Sequence, residues 1–183
     1  MDRYAGMMRD ESRSEAVARR VRENKRRTHR SEFLAGLSRA VGSTIRPQQL
    51  LDLASTDEVS ADLKSGYAAT VSGVATRLLF SRQQSLAALE IPALLAQPLA
   101  DERVLLWLKQ SAVCGAAMLT AGQVLRACEA IRVFDGDTVS MLSEDGTQGF
   151  IFDKNEDDDT ETFEVALWGS RWLEAAATCR IGR

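Results

Sequence analysis

The densest group of chemically active side chains is a basic run near the start of the chain. Seven cationic residues stand against the single carboxylate of Glu23 between residues 19 and 30: Arg19, Arg20, Arg22, Lys25, Arg26, Arg27 and Arg30. Such density suits a nucleic-acid backbone, because each neutralised phosphate releases bound counterions. An anionic lipid surface or an acidic partner protein is a further target, and the alternative is a solvated arm or one that docks on the acidic surface of this chain itself. The run contains no aromatic residue for base stacking and no groove-reading motif surrounds it.

A second charged segment, the tract KNEDDDT, joins two predicted strands near the C-terminus. The tract and its flanks contain five side chains with the spacing of calcium ligands in an EF-hand loop: Asp153, Asn155, Asp157, Glu161 and Glu164. The position that requires glycine holds Asp158 instead, and the flanking segments are predicted strands rather than helices. We therefore interpret the tract as an acidic, solvated hairpin loop that binds calcium weakly or not at all.

The remaining candidates do not combine into a catalytic site. His29 is the only histidine, and a solvated basic arm provides neither a pocket nor an orienting carboxylate, which argues against Ser-His-Asp and Cys-His chemistry. Cys114 and Cys128 fall in different predicted helices without a CxxC partner, so we expect inert core thiols. Asp135 and Asp137 flank a glycine, which is typical of a turn before a strand. We predict no enzymatic activity, no cofactor and no metal site.

Two tryptophans are the last residues of interest. Trp168 and Trp172 lie four positions apart where a predicted strand passes into a predicted helix. They either cover the sheet or form an exposed anchor for a protein partner.

Composition places these residues on one domain with a basic extension. The 183 residues are 45% apolar and 27% charged, which is typical of a globular protein. Residues 1–30 contain ten basic and five acidic side chains (net +5), whereas the rest contains 13 and 21 (net −8). We therefore predict a basic arm over 1–30 and a single domain over 31–183. We expect a cytoplasmic protein for three reasons. The three cysteines are widely spaced, no apolar run has the length of a signal peptide, and no stretch is long enough to span a membrane.

Hydrophobic periodicity predicts a helical region over 31–131. Phe33, Leu34, Leu37 and Val41 share one face of a short helix, and Pro47 begins another small one. A capping box at Ser55 and Glu58 precedes a stripe that predicts a helix of about twenty residues, ending near Leu78. The segment 101–119 is apolar on most faces, which is typical of a central buried helix. Thr120 and Gln123 form a second capping box, which predicts a helix over about 121–130.

The hydrophobic period changes from 3.6 to 2 after residue 131. Thr138–Leu142, Thr147–Asp153 and Glu161–Trp168 alternate, and Asp145-Gly146 predicts a hairpin between the first two. A terminal helix follows over 170–179. The sequence therefore predicts an α+β fold: five to six helices, a three-stranded antiparallel β-meander over 138–168 and a short C-terminal helix.

These observations favour a non-enzymatic, cytosolic protein-interaction module such as an adaptor, chaperone, inhibitor or assembly component. A three-stranded sheet must bury one face, either on its own helices or on another protein. The partner is therefore expected to be a different protein or a second copy of this chain. The alternative is a protein associated with nucleic acid that contacts phosphates through residues 13–30.

Overall fold

A six-stranded antiparallel sheet lies at the centre of the computed structural model, which describes residues 13–71, 76–81, 85–136, 138–157 and 160–179. The strands are β1 (Thr76–Ser81), β2 (Arg103–Trp107), β3 (Ala117–Thr120), β4 (Thr138–Ser143), β5 (Gly149–Asp157) and β6 (Thr160–Trp168). Their spatial order is β1-β6-β5-β4-β2-β3. All five neighbouring pairs are antiparallel, so the chain forms an α+β fold.

Helices cover both faces of the sheet. They are α1 (Arg13–Val41), α2 (Leu53–Val71), α3 (Ser85–Leu95), α4 (Ser111–Cys114), α5 (Ala121–Arg126), α6 (Cys128–Asp135) and α7 (Ser170–Thr178), with a 3-10 turn over Pro47–Gln49. The larger core lies on one face and includes Phe33 of α1, Phe150 of β5 and Trp172 of α7. The smaller core lies where α2 covers the other face, and it includes Leu63, Leu142 and Trp168.

The predicted β-meander and terminal helix are confirmed. β4, β5 and β6 follow one another in the sheet, with Val139 opposite Phe152 and Phe152 opposite Val165 on the larger core's face. The predicted hairpin turn includes Gly146 at φ +76°, a conformation that glycine adopts without strain. Helix α7 follows β6 after one glycine.

The predicted central helix over 101–119 is wrong. This segment forms β2, the single turn of α4 and β3, and the two strands pair with Val104 opposite Leu119. Helices cover both faces of β2, so Val104 and Leu106 enter the larger core while Leu105 enters the smaller one. A strand that is buried on both faces does not alternate, and its continuous apolar run has the same appearance as a buried helix.

The long helix predicted to end near Leu78 is also too long. Helix α2 ends at Val71, and Leu78 lies in β1, opposite Val165 of β6. At the other end, Ser55 is not the cap, because its backbone N–H and hydroxyl both donate to the carboxylate of Asp52, at 2.9 and 3.0 Å. These hydrogen bonds lower the pKa of Asp52. Strands β1 to β3 therefore extend the predicted three-stranded sheet to six strands.

The predicted boundary between residues 30 and 31 falls inside a continuous helix. Helix α1 runs from Arg13 to Val41, so the basic run and the first apolar segment of the body share one rigid element. Phe33 and Leu37 at its C-terminal half are 1% and 0% exposed. The basic run is thereby held at a defined angle to the body.

Candidate functional site

The basic run of α1 divides into an inward and an outward set. With about 100° between successive residues of a helix, Arg22, Arg26 and Arg30 lie on the same side as the buried Phe33 and Leu37. All three arginines are partly buried. They form a stripe, four residues apart, along the contact between α1 and the body.

Arg22 attaches α1 to two other helices. Its two terminal nitrogens donate to the two carboxylate oxygens of Asp57 on α2, both at 2.6 Å, and Nε donates to the carbonyl oxygen of Ala112 on α4 at 2.5 Å. The hydrogen bond with Asp57 raises the pKa of Arg22. The arm therefore docks on an acidic residue of this chain's own body, which was one of the targets considered for it.

Arg26 and Arg30 bind carbonyl oxygens of the segment that precedes α2. Arg26 donates to Leu51 at 3.0 Å, and Arg30 donates to Pro47 at 2.5 Å. The Nε atoms of both arginines are buried without a hydrogen-bond partner. Burial and the positive charge of Arg26 lower the pKa of Arg30. Arg26 also lies 3.9 Å from the carboxylate of Glu23, so its charge is partly compensated, and the two arginines together leave a net positive charge beneath α1.

Four members of the basic run face solvent: Arg19, Arg20, Lys25 and Arg27. They are the side chains of the run that an acidic partner or a phosphate backbone can reach. The number of exposed cations in the run is therefore four, against seven in the sequence.

Two apolar side chains interrupt the exposed surface of α1. Val17 and Val21 are 57% and 50% exposed, and helical geometry places them nearly opposite Phe33 and Leu37. Between Ser14 and Val21 the described side chains are exposed, apart from the half-buried Ala16. The N-terminal part of α1 therefore presents an apolar pair, one helical turn apart, within a basic surface.

A cavity of about 540 Å³ lies beside the inward stripe, between α1, α4 and α6; we call it the α1 cavity. Its rim carries Lys25, His29 and Glu32 from α1 and Lys109 and Gln110 from the segment before α4. The expectation that His29 has no pocket around it is therefore wrong. The missed signal is the four-residue spacing of Lys25 and His29, which places them on one face of α1.

The floor of the α1 cavity is apolar. It consists of Phe33, Val113, Cys114 and Phe134. The two phenylalanine rings are tilted by 36°, with centroids 6.0 Å apart. Burial raises the pKa of the Cys114 thiol, and the charges of Arg26 and Arg30 act in the opposite direction.

The other candidates from the sequence, two thiols and a carboxylate, are buried or hold the backbone in place. Cys114 and Cys128 are free, buried and on separate helices, and burial raises the pKa of Cys128 to about 12. Asp135 ends α6 and accepts hydrogen bonds from the backbone N–H groups of Lys109 and Gln110, and burial raises its pKa. Asp137 lies outside the described residues.

Both tryptophans proposed as a partner anchor are buried in this chain. Trp172 is fully buried, and its ring centroid lies 6.5 Å from that of Phe150. Trp168 is 7% exposed and packs against Gly66 and Gly149. They cover opposite faces of the sheet, which was the other interpretation considered for them.

The acidic tract is part of the β5–β6 hairpin. Asp153 and Glu164 are opposite each other in the register, and Asp153 accepts a hydrogen bond from Thr138 of β4. Asp158 and Asp159 lie outside the described residues. Within the described ranges, no three His, Cys, Asp or Glu side chains are grouped closely enough to hold a metal ion. Weak or absent calcium binding stays a prediction.

Comparison of the chain with protein-family models, with curated proteins and with solved structures finds no match in any of the three. Among the helices of the described ranges, none has the length and hydropathy required to cross a membrane.

Proposed function

We propose that this chain is a non-enzymatic protein-binding module whose binding element is the N-terminal part of α1. The observation that carries the proposal is the exposure of Val17 and Val21 on the side of α1 that faces away from the body. An amphipathic helix that enters a groove of a partner uses apolar anchors at this spacing. We expect the groove to have an acidic rim, because the exposed Arg20 lies beside Val17 on the helix surface.

The stripe of inward arginines supports this role. It fixes α1 on the body through Arg22, Arg26 and Arg30, so the binding element is ordered before the partner arrives. A preformed helix avoids the entropic penalty of folding during association. The same stripe removes three cations from any contact with phosphates.

Nucleic-acid binding is the second candidate, and the four exposed cations favour it. With at most four phosphates neutralised, the slope of log affinity against log salt is about −3 to −4, at roughly 0.7 to 0.9 per phosphate. The valines have no counterpart on a phosphate backbone. They are the feature that favours a protein partner over nucleic acid.

The test compares a Val17→Ser/Val21→Ser variant with an Arg20→Gln/Arg27→Gln variant. Each protein is purified at low and high salt, and its absorbance ratio at 260 and 280 nm, its mass in solution and its co-purifying proteins are recorded. We expect the serine variant to lose self-association or a specific protein partner that the wild type retains after nuclease treatment. A matched Ala61→Ser/Ala68→Ser variant changes two exposed positions of α2 and controls for surface polarity.

If the serine variant keeps every interaction of the wild type, the proposed binding element is wrong. If instead nucleic acid co-purifies at low salt and is lost from the glutamine variant, the second candidate replaces the first. Because all substituted side chains are exposed, we expect each variant to keep the circular dichroism spectrum and thermal stability of the wild type.

A further inference from the structure

We propose that the α1 cavity is a binding site for an aromatic carboxylate. Val17 and Val21 do not line this cavity, so the site goes beyond the proposed protein-binding function. Its volume of about 540 Å³ falls within the roughly 300–1,000 Å³ of typical small-molecule sites. Three helices form its walls, so the cavity exists before a ligand binds.

The charges around the cavity select an anion. Lys25 and Lys109 stand on opposite walls, on α1 and on the segment before α4, whereas Glu32 is the only carboxylate at the rim among the described residues. Behind the floor, Arg26 and Arg30 are close enough to act on the Cys114 thiol. Arg26 also lies 3.9 Å from the carboxylate of Glu23, whereas Arg30 donates to a neutral carbonyl oxygen, so the two arginines and this carboxylate leave a net positive charge. Since the partly buried charges lie in a low dielectric, their field in the cavity is screened less than that of exposed charges.

The apolar floor of the cavity favours a ligand with an aromatic ring. The Phe33 and Phe134 rings form an apolar wall on which a flat ring can pack in an offset or tilted geometry. Gly36 keeps Phe134 against α1, because a Cβ at this glycine would lie only 2.2 Å from Cε2 of the ring. The contact of the ring with the helix backbone leaves the space above the floor open for a ligand.

Two probes that differ in charge alone test the proposal: 2-naphthoate and its neutral isostere 2-naphthamide. Binding of each to the full chain is measured by calorimetric titration. We expect saturable one-to-one binding, with 2-naphthoate about three- to tenfold tighter, because each exposed ion pair contributes only modestly.

A Lys25→Met/Lys109→Met variant removes the two charges and keeps the aliphatic side chains. We expect it to bind 2-naphthoate about three- to tenfold more weakly and 2-naphthamide as the wild type does. Lys64→Met is the matched control, because Lys64 is an exposed lysine of α2 that does not line the cavity. It is expected to leave both affinities unchanged.

Three results would each overturn the proposal. The first is no saturable binding of 2-naphthoate up to about 10 mM, a concentration at which even a weak ligand of this size binds measurably. The second is equal affinity for the two probes, and the third is an unchanged 2-naphthoate affinity in the double lysine variant. A folded Val113→Trp variant, in which the new ring occupies the cavity, is expected to lose both probes, and retained binding would place the ligand elsewhere.

Discussion

Gly66 on α2 provides a test of how α2 fits onto the sheet, because helix propensity and tertiary packing predict opposite results for one substitution. In an exposed helix interior, replacing glycine by alanine stabilises a protein by about 1 kcal/mol. At Gly66 the new Cβ would lie 2.2 Å from Cε2 and 2.4 Å from Nε1 of Trp168. The indole is 7% exposed. It also packs on Gly149, where a Cβ would lie 1.9 Å from the ring, so it has no free space to move into.

We therefore expect Gly66→Ala to lower the free energy of unfolding by about 1–2 kcal/mol. Overpacking a buried site costs about 1–3 kcal/mol. Because the indole is confined by both glycines, we expect the upper part of this range, about 2–3 kcal/mol, of which the gain in helix propensity offsets roughly 1 kcal/mol. For a chain of this length the melting temperature falls by roughly 2–8 °C. Urea denaturation and thermal melts, both followed by circular dichroism, measure the two quantities.

The control repeats the substitution in a Trp168→Leu background. Leucine does not reach the space that the indole fills, so Gly66→Ala there is expected to stabilise by about 1 kcal/mol, as in an exposed helix. The double-mutant cycle then gives a coupling free energy of about 2–3 kcal/mol between the two positions. A rise in melting temperature for Gly66→Ala in the wild-type background would refute the packing of Trp168 described above.

Three further substitutions test the contacts that hold α1 and α2 in place. Thr56→Val is expected to lower the free energy of unfolding, measured by urea denaturation, by about 1–3 kcal/mol. The buried hydroxyl of Thr56 accepts a hydrogen bond from the backbone N–H of Ala116 at 3.0 Å, and valine leaves that N–H without a partner. A change below about 0.5 kcal/mol would contradict this. Asp57→Asn removes the partly exposed ion pair with Arg22 and is expected to cost about 0.5–1 kcal/mol, an effect that 1 M salt diminishes. Leu63→Asp places a charge at a position that is 5% exposed and is expected to abolish cooperative thermal unfolding; a soluble, fully helical variant would show that this face of α2 is not core.

The C-terminal part of the fold is encoded by short-range signals. In β4 and β5, Val139 and Phe152 alternate with Ser140 and Asp153, so the period of 2 remains visible although helices cover both faces of the sheet. Gly146 marks the turn. Each signal lies within a few residues of the structure it specifies, which is why the meander and the terminal helix were predictable.

Strands β1 and β2 lack such signals. In β2, Leu105 packs under α2 while its neighbours Val104 and Leu106 pack in the larger core, so residues 104–107 are all apolar and no period distinguishes them from a helix. These segments form strands rather than helices because they pair with strands distant in the chain: β2 pairs with β4, and β1 pairs with β6. Such pairings contribute their hydrogen bonds only after the chain has folded.

In the candidate site, too, some features follow from the sequence and others from long-range packing. The sequence by itself determined the number and spacing of the cations between residues 19 and 30, and it placed Cys114 and Cys128 in different helices. Only the tertiary structure decided which cations remain exposed, because Arg22 turns inward to a carboxylate, and Arg26 to a backbone carbonyl, that lie 35 and 25 residues further along the chain. The α1 cavity has the same origin: its walls come from three helices, and a concave surface between helices exists only once long-range packing has brought them together.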